Sequence, residues 1–171
     1  PNDRRNLVYK AAELFCENCS VTSGLSIHIN KRIPIAAGLA GGSANAAATL
    51  QGLNTLFEIG LSLEELMALG IKLGADVPYC LLMGTALSEG IGEILTPLPS
   101  MPHCYILLVK PNVSISTKHV YENLLIDENN TRHPDISSMI NALEGNDIHK
   151  LTSYMDNILE TVTAKEYPVI E

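Results

Sequence analysis

The sequence predicts a mixed α+β chain, and three observations carry that expectation. An alternating segment runs through a glycine-rich loop into a helical pattern between residues 26 and 57, Ser62-Leu63-Glu64-Glu65 carries the signature of a helix start, and two short β-like segments flank Gly90-Ile91-Gly92.

In chain order, residues 7–15 show helical periodicity. Ile27 and Ile29 alternate with polar neighbours, which predicts a half-buried strand over residues 26–29. Small residues follow, and then Ala47, Leu50, Leu53 and Phe57 recur at helical spacing, predicting a helix over 44–57. Ser62 and Glu65 form a capping box, so a helix is expected over 63–72. Gly74-Ala-Asp-Val-Pro78 reads as a turn, and residues 79–83 suit either a short helix or a strand. Strands are expected over 84–89 and 93–95. Three prolines between residues 96 and 102 mark the best linker, and the unbroken apolar run 105–109 predicts a buried strand beyond it. A helix over 117–125, a polar loop over 127–134 and further helices near 147–162 complete the reading.

The loop constrains function most tightly. In the order strand, glycine loop, helix, the first helical N–H groups lack intrahelical partners and the helix dipole adds partial positive charge. Both favour an anion such as phosphate. The spacing Gly38-x-x-Gly41-Gly42 is neither a Walker loop, which needs Lys and Ser/Thr after its last glycine, nor a Gly-x-Gly-x-x-Gly fingerprint. Close packing of the helix on a sheet would also explain the small residues. Pro34 at the entry, Lys31 and Arg32 as local positive charge, and the Ser43 hydroxyl favour phosphate.

Asp76 has two readings. It can cap the next helix, with Pro78 near position N1, or it can sit in an apolar pocket facing a phosphate and take a proton from an attacking hydroxyl.

Composition bounds the rest. The 171 residues, 46% hydrophobic and 18% charged, suit a globular chain, and no apolar run approaches the ~18–20 residues of a membrane span. With no signal peptide at its start the chain is expected in the cytoplasm. A net charge of -8 argues against nucleic-acid and anionic-membrane partners. Cys16-Glu-Asn-Cys19 has no second pair for zinc and follows a helix rather than a strand, so reduced structural thiols are expected, with a redox protein as a rival reading. The opening at Pro1 beside a helix and the stop at Glu171 read as the middle of something longer.

The stretch Pro34-Ile-Ala-Ala-Gly-Leu-Ala-Gly-Gly-Ser-Ala-Asn-Ala-Ala, with Leu73-Gly-Ala-Asp-Val-Pro78, Glu89-Gly-Ile-Gly-Glu93 and Lys110-Pro-Asn-Val-Ser-Ile-Ser-Thr117, resembles the galactokinase, homoserine, mevalonate and phosphomevalonate kinase superfamily over nearly the whole chain. The resemblance implies a two-domain small-molecule kinase fold with the active site between an N-terminal and a C-terminal α/β domain. On that template residues 1–97 are the back part of the ATP-binding domain and 103–171 begin the second. It further implies ATP, with Mg²⁺, as phosphoryl donor. The implied acceptor is the 2-hydroxyl of 4-diphosphocytidyl-2-C-methyl-D-erythritol, a cytidine-diphosphate-linked sugar alcohol of non-mevalonate isoprenoid biosynthesis. Alternatives are homoserine or phosphomevalonate as acceptor, or a non-catalytic nucleotide-binding module.

By the same resemblance, ATP phosphates would be wrapped by Pro34, Ile35, Ala36, Ala37, Gly38, Leu39, Ala40, Gly41, Gly42, Ser43 and Ala44. Asp76 would act as base or orient the substrate hydroxyl, Tyr121 would stack on cytosine, and Thr117 would lie near the substrate. Relatives carry a catalytic lysine in a Lys-Ile-Asn-Leu stretch that does not occur in this chain, which implies no turnover by these 171 residues alone. The Mg²⁺ ligand and the oligomeric state stay unassigned.

Overall fold

A computed structural model describes residues 3–34, 37–113, 115–126 and 133–170. The chain divides into two compact units, residues 1–97 and 98–171.

The first unit is built on helices. Asn6 opens α1 (Leu7–Asn18), its side-chain oxygen accepting from the Val8 N–H at 3.0 Å. α2 (Gly41–Leu56) begins three residues before the expected start, at the glycines themselves. α3 (Leu63–Gly70) has the predicted capping box: Ser62 Oγ accepts from Glu65 N–H at 3.2 Å, and the Glu65 carboxylate accepts from Ser62 N–H at 2.8 Å. Residues 79–83, open between helix and strand in the sequence, lie largely within α4 (Val77–Leu82), whose early Pro78 lacks only an N–H that has no helical partner there.

One apolar cluster joins these helices: Ala11, Ala12 and Phe15 of α1, Ala46, Ala47, Leu50 and Leu53 of α2, Leu66 and Leu69 of α3, Val77 and Leu81 of α4. The alanines of α2 carry too little side chain to hold its neighbours away, and α1 and α4 pack directly against it. Phe15 is fully buried, and its truncation to alanine would cost about 3–5 kcal/mol. Gly70 brings α3 against α4, since a Cβ there would stand 3.0 Å from Val77 Cγ1. Between α2 and α3 the Asn54 side chain closes the loop on both sides, donating to Leu61 O and accepting from Leu61 N–H, each at 2.9 Å.

β1 (Thr85–Glu89) and β2 (Ile94–Leu98) pair into a two-stranded sheet across a four-residue turn. Gly90 and Gly92 adopt φ of +70° and +117°, and Glu93 accepts from the Ile91 N–H at 2.7 Å within the turn.

In the second unit the helices are α5 (Thr117–Asn123), α6 (Ile136–Glu144), α7 (Ile148–Tyr154) and α8 (Glu160–Glu166), with a 3₁₀ turn at Pro168–Ile170. α6 and α7 pack through Ala142, Leu143 and Leu151, with Leu98, Met139 and Ile148 at the margin. Asp135 and Asp147 cap them, accepting from Ser138 N–H at 2.9 Å and Lys150 N–H at 3.0 Å. The helical stretch expected near 147–162 is interrupted, because Met155 leaves α7 in an extended conformation and α8 begins only at Glu160. The expected linker 96–102 begins later, since β2 runs to Leu98. Most of the loop expected over 127–134 lies outside the described residues.

Two strand expectations are corrected. Residues 26–29 form no ladder, and Ile27 and Ile29 are exposed. Residues 105–109 likewise form no strand, with Tyr105 98% and Leu107 88% exposed rather than buried. An alternating or continuous apolar pattern records a preference for a pleated, covered surface, and a strand exists only where a second strand supplies hydrogen bonds and a layer covers the face. Neither is supplied to these segments by the described residues. No helix among the described residues is long and apolar enough to cross a membrane.

Candidate functional site

The glycine loop leads straight into α2. Gly38 has φ of +69° with open space where a Cβ would point, and Ala40, at the N-cap, has φ of +47°. A left-handed alanine is strained and offers no side-chain oxygen, so no side chain caps this helix. Its first intrahelical bond runs from Ala44 N–H to Ala40 O at 2.9 Å. The N–H groups of Gly41, Gly42 and Ser43 therefore precede any intrahelical acceptor. Ser43 is half-buried in this first turn. Ile35 and Ala36 lie outside the described residues; Pro34, Ala37, Leu39 and the others named above are described.

Lys31 adds a charge that sequence reasoning placed only nearby. Its Nζ donates to the Gly41 carbonyl at 2.6 Å, and the backbone there is so close that a Cβ on Gly41 would stand 2.7 Å from Nζ and 2.8 Å from Ile33 Cγ2. An ammonium beside a helix N-terminus adds to the positive end of the dipole rather than opposing it. Two sources of positive potential thus converge on one end of α2, an arrangement that suits an anion. The cluster of Lys and Arg before the loop was the available signal; that Lys31 and not Arg32 makes this contact was not legible in it.

Asp76 occupies the N-cap position of α4, yet its side chain makes no capping hydrogen bond. The structural reading as a cap is therefore not what the geometry shows. Nor does it lie in an apolar pocket: Asp76 is exposed, and this part of the functional expectation is corrected. It follows two small residues in a turn that the hairpin packs against, a Cβ on Gly92 falling 3.7 Å from the Ala75 carbonyl oxygen. The Cys80 thiol, one turn along α4, is pushed above its ordinary pKa by burial and then by the negative charge of Asp76. Val77, the first residue of α4, and Ala46 and Ala47 near the start of α2 belong to one core, so a rigid framework holds the first turns of both helices.

Thr117 and Tyr121 lie in the second unit. Both are exposed on α5, Tyr121 by 61%. They are one helical turn apart and share a face.

Cys16 and Cys19 carry free thiols. Burial and then Cys19 push the Cys16 thiol above its ordinary pKa, which is opposite to a reactive redox cysteine. Among the described residues no group of three His, Cys, Asp or Glu side chains is arranged to hold a metal ion.

Residues 6–84 match the model of the N-terminal domain of GHMP kinases. The relatives it matches are more specific. It is 60% identical over 171 residues to the 4-diphosphocytidyl-2-C-methyl-D-erythritol kinase of Lachnoclostridium phytofermentans, covering 100% of this chain and 58% of the relative. It is 50% identical over 170 residues to the enzyme of the same name from Geobacillus kaustophilus, covering 99% of this chain and 58% of the relative. A crystal structure of a 4-(cytidine 5'-diphospho)-2C-methyl-D-erythritol kinase superposes with a TM-score of 0.76 at 32% identity, covering 98% of this chain and 59% of that one. The chain thus spans a little under three fifths of the length of these relatives.

Proposed function

We propose that the protein to which this chain belongs is an ATP-dependent kinase that phosphorylates the 2-hydroxyl of 4-diphosphocytidyl-2-C-methyl-D-erythritol, in the cytoplasm. The 60% identity to the L. phytofermentans kinase across every residue of the chain carries this reading. Residues 1–97 are read as the back part of the ATP-binding domain of a two-domain kinase, and 103–171 as the start of its second domain.

In this reading the loop from Pro34 to Ala44 receives the ATP phosphates. Uncapped N–H groups at Gly41, Gly42 and Ser43 face developing negative charge, and Lys31 stands ready to exchange the Gly41 carbonyl for a phosphate oxygen. Phosphoryl transfer depends on positioning and electrostatics more than on covalent chemistry, which suits donors fixed by helix packing. Asp76 has a carboxylate that no capping bond engages, free to accept the proton of the acceptor hydroxyl. Tyr121 offers an open aromatic face, and stacking a base on such a face contributes about 1–3 kcal/mol. Thr117 adds a hydroxyl on the same side of α5.

Mg²⁺ accompanying ATP would neutralise charge on the phosphates. It is commonly held by one or two protein oxygens together with phosphate and water, and the Ser43 hydroxyl beside the loop fits that modest requirement.

The test is turnover by the full-length protein with ATP and 4-diphosphocytidyl-2-C-methyl-D-erythritol, set beside homoserine and phosphomevalonate. Phosphorylation confined to the cytidine compound is expected; preference for either other acceptor would overturn the substrate assignment while leaving the kinase reading intact.

A further inference from the structure

The helix that carries Thr117 and Tyr121 has little to hold it. α5 is seven residues long, far short of the roughly 12–15 that make an isolated helix even marginal in water. Ser116 caps it weakly, accepting from His119 N–H at 3.4 Å, and Val120 is its sole buried residue. The Lys118–Glu122 pair on its surface, 3.7 Å apart with both side chains largely exposed, adds little. The orientation of Tyr121 must therefore be set by what grips the other side of the helix.

His119 and Asn123 supply that grip. At about 100° per residue, Thr117 and Tyr121 point one way, and His119 and Asn123 point roughly the opposite way. His119 Nε2 lies 3.0 and 3.1 Å from the two carboxylate oxygens of Glu166, the last residue of α8 and 47 positions along the chain. On the other side of the ring Asn123 Nδ2 lies 3.2 Å from Nδ1 and also donates to the His119 carbonyl at 2.8 Å. The contacts are mutually consistent. A carboxylate only accepts, so Nε2 carries the hydrogen, and Nδ1 is then left to accept from the Asn123 amide. One tautomer satisfies every partner, so the ring is held from both sides. Val162, one turn before Glu166 on α8, is buried, giving the carboxylate a firm base.

We infer that Glu166 and Asn123, acting through His119, are positioning residues for the acceptor. They pin the back of α5 to α8 so that the Thr117 and Tyr121 face is presented, ordered in advance, to the cytidine end of the substrate. This inference rests on the kinase reading above and concerns how the acceptor is bound, not the phosphoryl transfer.

The experiment is steady-state kinetics on the full-length protein with the cytidine-diphosphate acceptor and ATP varied separately, for wild type, Glu166→Ala, Glu166→Gln and Asn123→Ala. Loss of pre-ordering is expected to raise the acceptor KM about five- to tenfold in Glu166→Ala, with kcat and the ATP KM within about twofold of wild type. Glu166→Gln should recover most of the affinity, because its amide oxygen still accepts from Nε2–H. Asn123→Ala should show the same pattern more weakly, and it remains informative if Glu166→Ala fails to fold. An unchanged acceptor KM in both alanine variants, a Gln variant no better than Ala, or a parallel loss of kcat and both KM values together with thermal stability would each overturn the inference. A wild type that turns over another acceptor would instead refute the substrate assignment, and one that turns over none the kinase reading, and either would take this inference with it.

Discussion

Gly41 and Gly42 are adjacent in the loop, and the structure assigns them opposite sensitivities to one added methyl group. On Gly41 a Cβ would stand 2.8 Å from Ile33 Cγ2, 3.0 Å from Ile33 Cβ and 2.7 Å from Lys31 Nζ. Carbon pairs prefer about 3.5–4.0 Å, and Ile33 is β-branched and turns stiffly about χ1, so relief requires the 31–33 backbone to shift. Overpacking of this kind costs about 1–3 kcal/mol. Replacing a helical glycine by alanine returns about 0.5–1 kcal/mol, less at a helix end, leaving a net loss near 1–2 kcal/mol. On Gly42 the nearest atom to a new Cβ is the mobile Leu7 Cδ1 at 3.3 Å, so the same substitution should be neutral or slightly stabilising. Urea unfolding of the full-length protein measures both. Displacement of Lys31 should also weaken nucleotide binding in Gly41→Ala and not in Gly42→Ala, as a titration with ATP would register. A Gly41→Ala protein as stable as wild type, or a Gly42→Ala protein harmed more, would show that the 31–33 segment does not press on the loop.

Asp76→Asn should leave stability unchanged, because no capping bond is lost, while lowering kcat by roughly 10²–10⁴-fold with ATP affinity retained; unfolding and initial-rate measurements on one preparation separate the two. Lys31→Met should weaken ATP binding by about tenfold, and the difference from wild type should shrink as salt is raised in the titration. The carboxyls of Asp135 and Asp147 are held below their ordinary pKa chiefly by the N–H donors of Ser138 and Lys150, so their stabilisation is complete above the unfolded value of about 3.9 and fades as pH falls through the lower folded values. Asn at both positions caps without titrating and should flatten the acid limb of a melting-temperature profile.

Most helices were legible because their signals are local. The periodicity of residues 7–15, the Ser62–Glu65 pair and the periodic leucines of α2 each act within a few residues, and the structure follows them. What the sequence misjudged depends on distant partners. Residues 105–109 carry the apolar content of a covered strand, but cover is a property of neighbours and not of the run itself. The same limit applies at the site. The loop glycines and Asp76 announced themselves through composition and turn chemistry, whereas the exposure of Asp76 depends on how α4 and the hairpin pack. The His119 and Glu166 contact joins side chains 47 positions apart, with no short motif to reveal it.

Asn54 makes the span between α2 and α3 independent of its own length. Its amide imitates a peptide group, donating and accepting at Leu61 as a strand neighbour would, so the six intervening residues are relieved of fixing where α3 starts. Insertions there should be tolerated while the amide survives. Spontaneous deamidation would abolish it: aspartate has nearly the same volume, but it would set a carboxylate oxygen against the Leu61 carbonyl, turning a clasp into a repulsion. In an ageing preparation a one-dalton mass gain at this asparagine should precede loosening of α3.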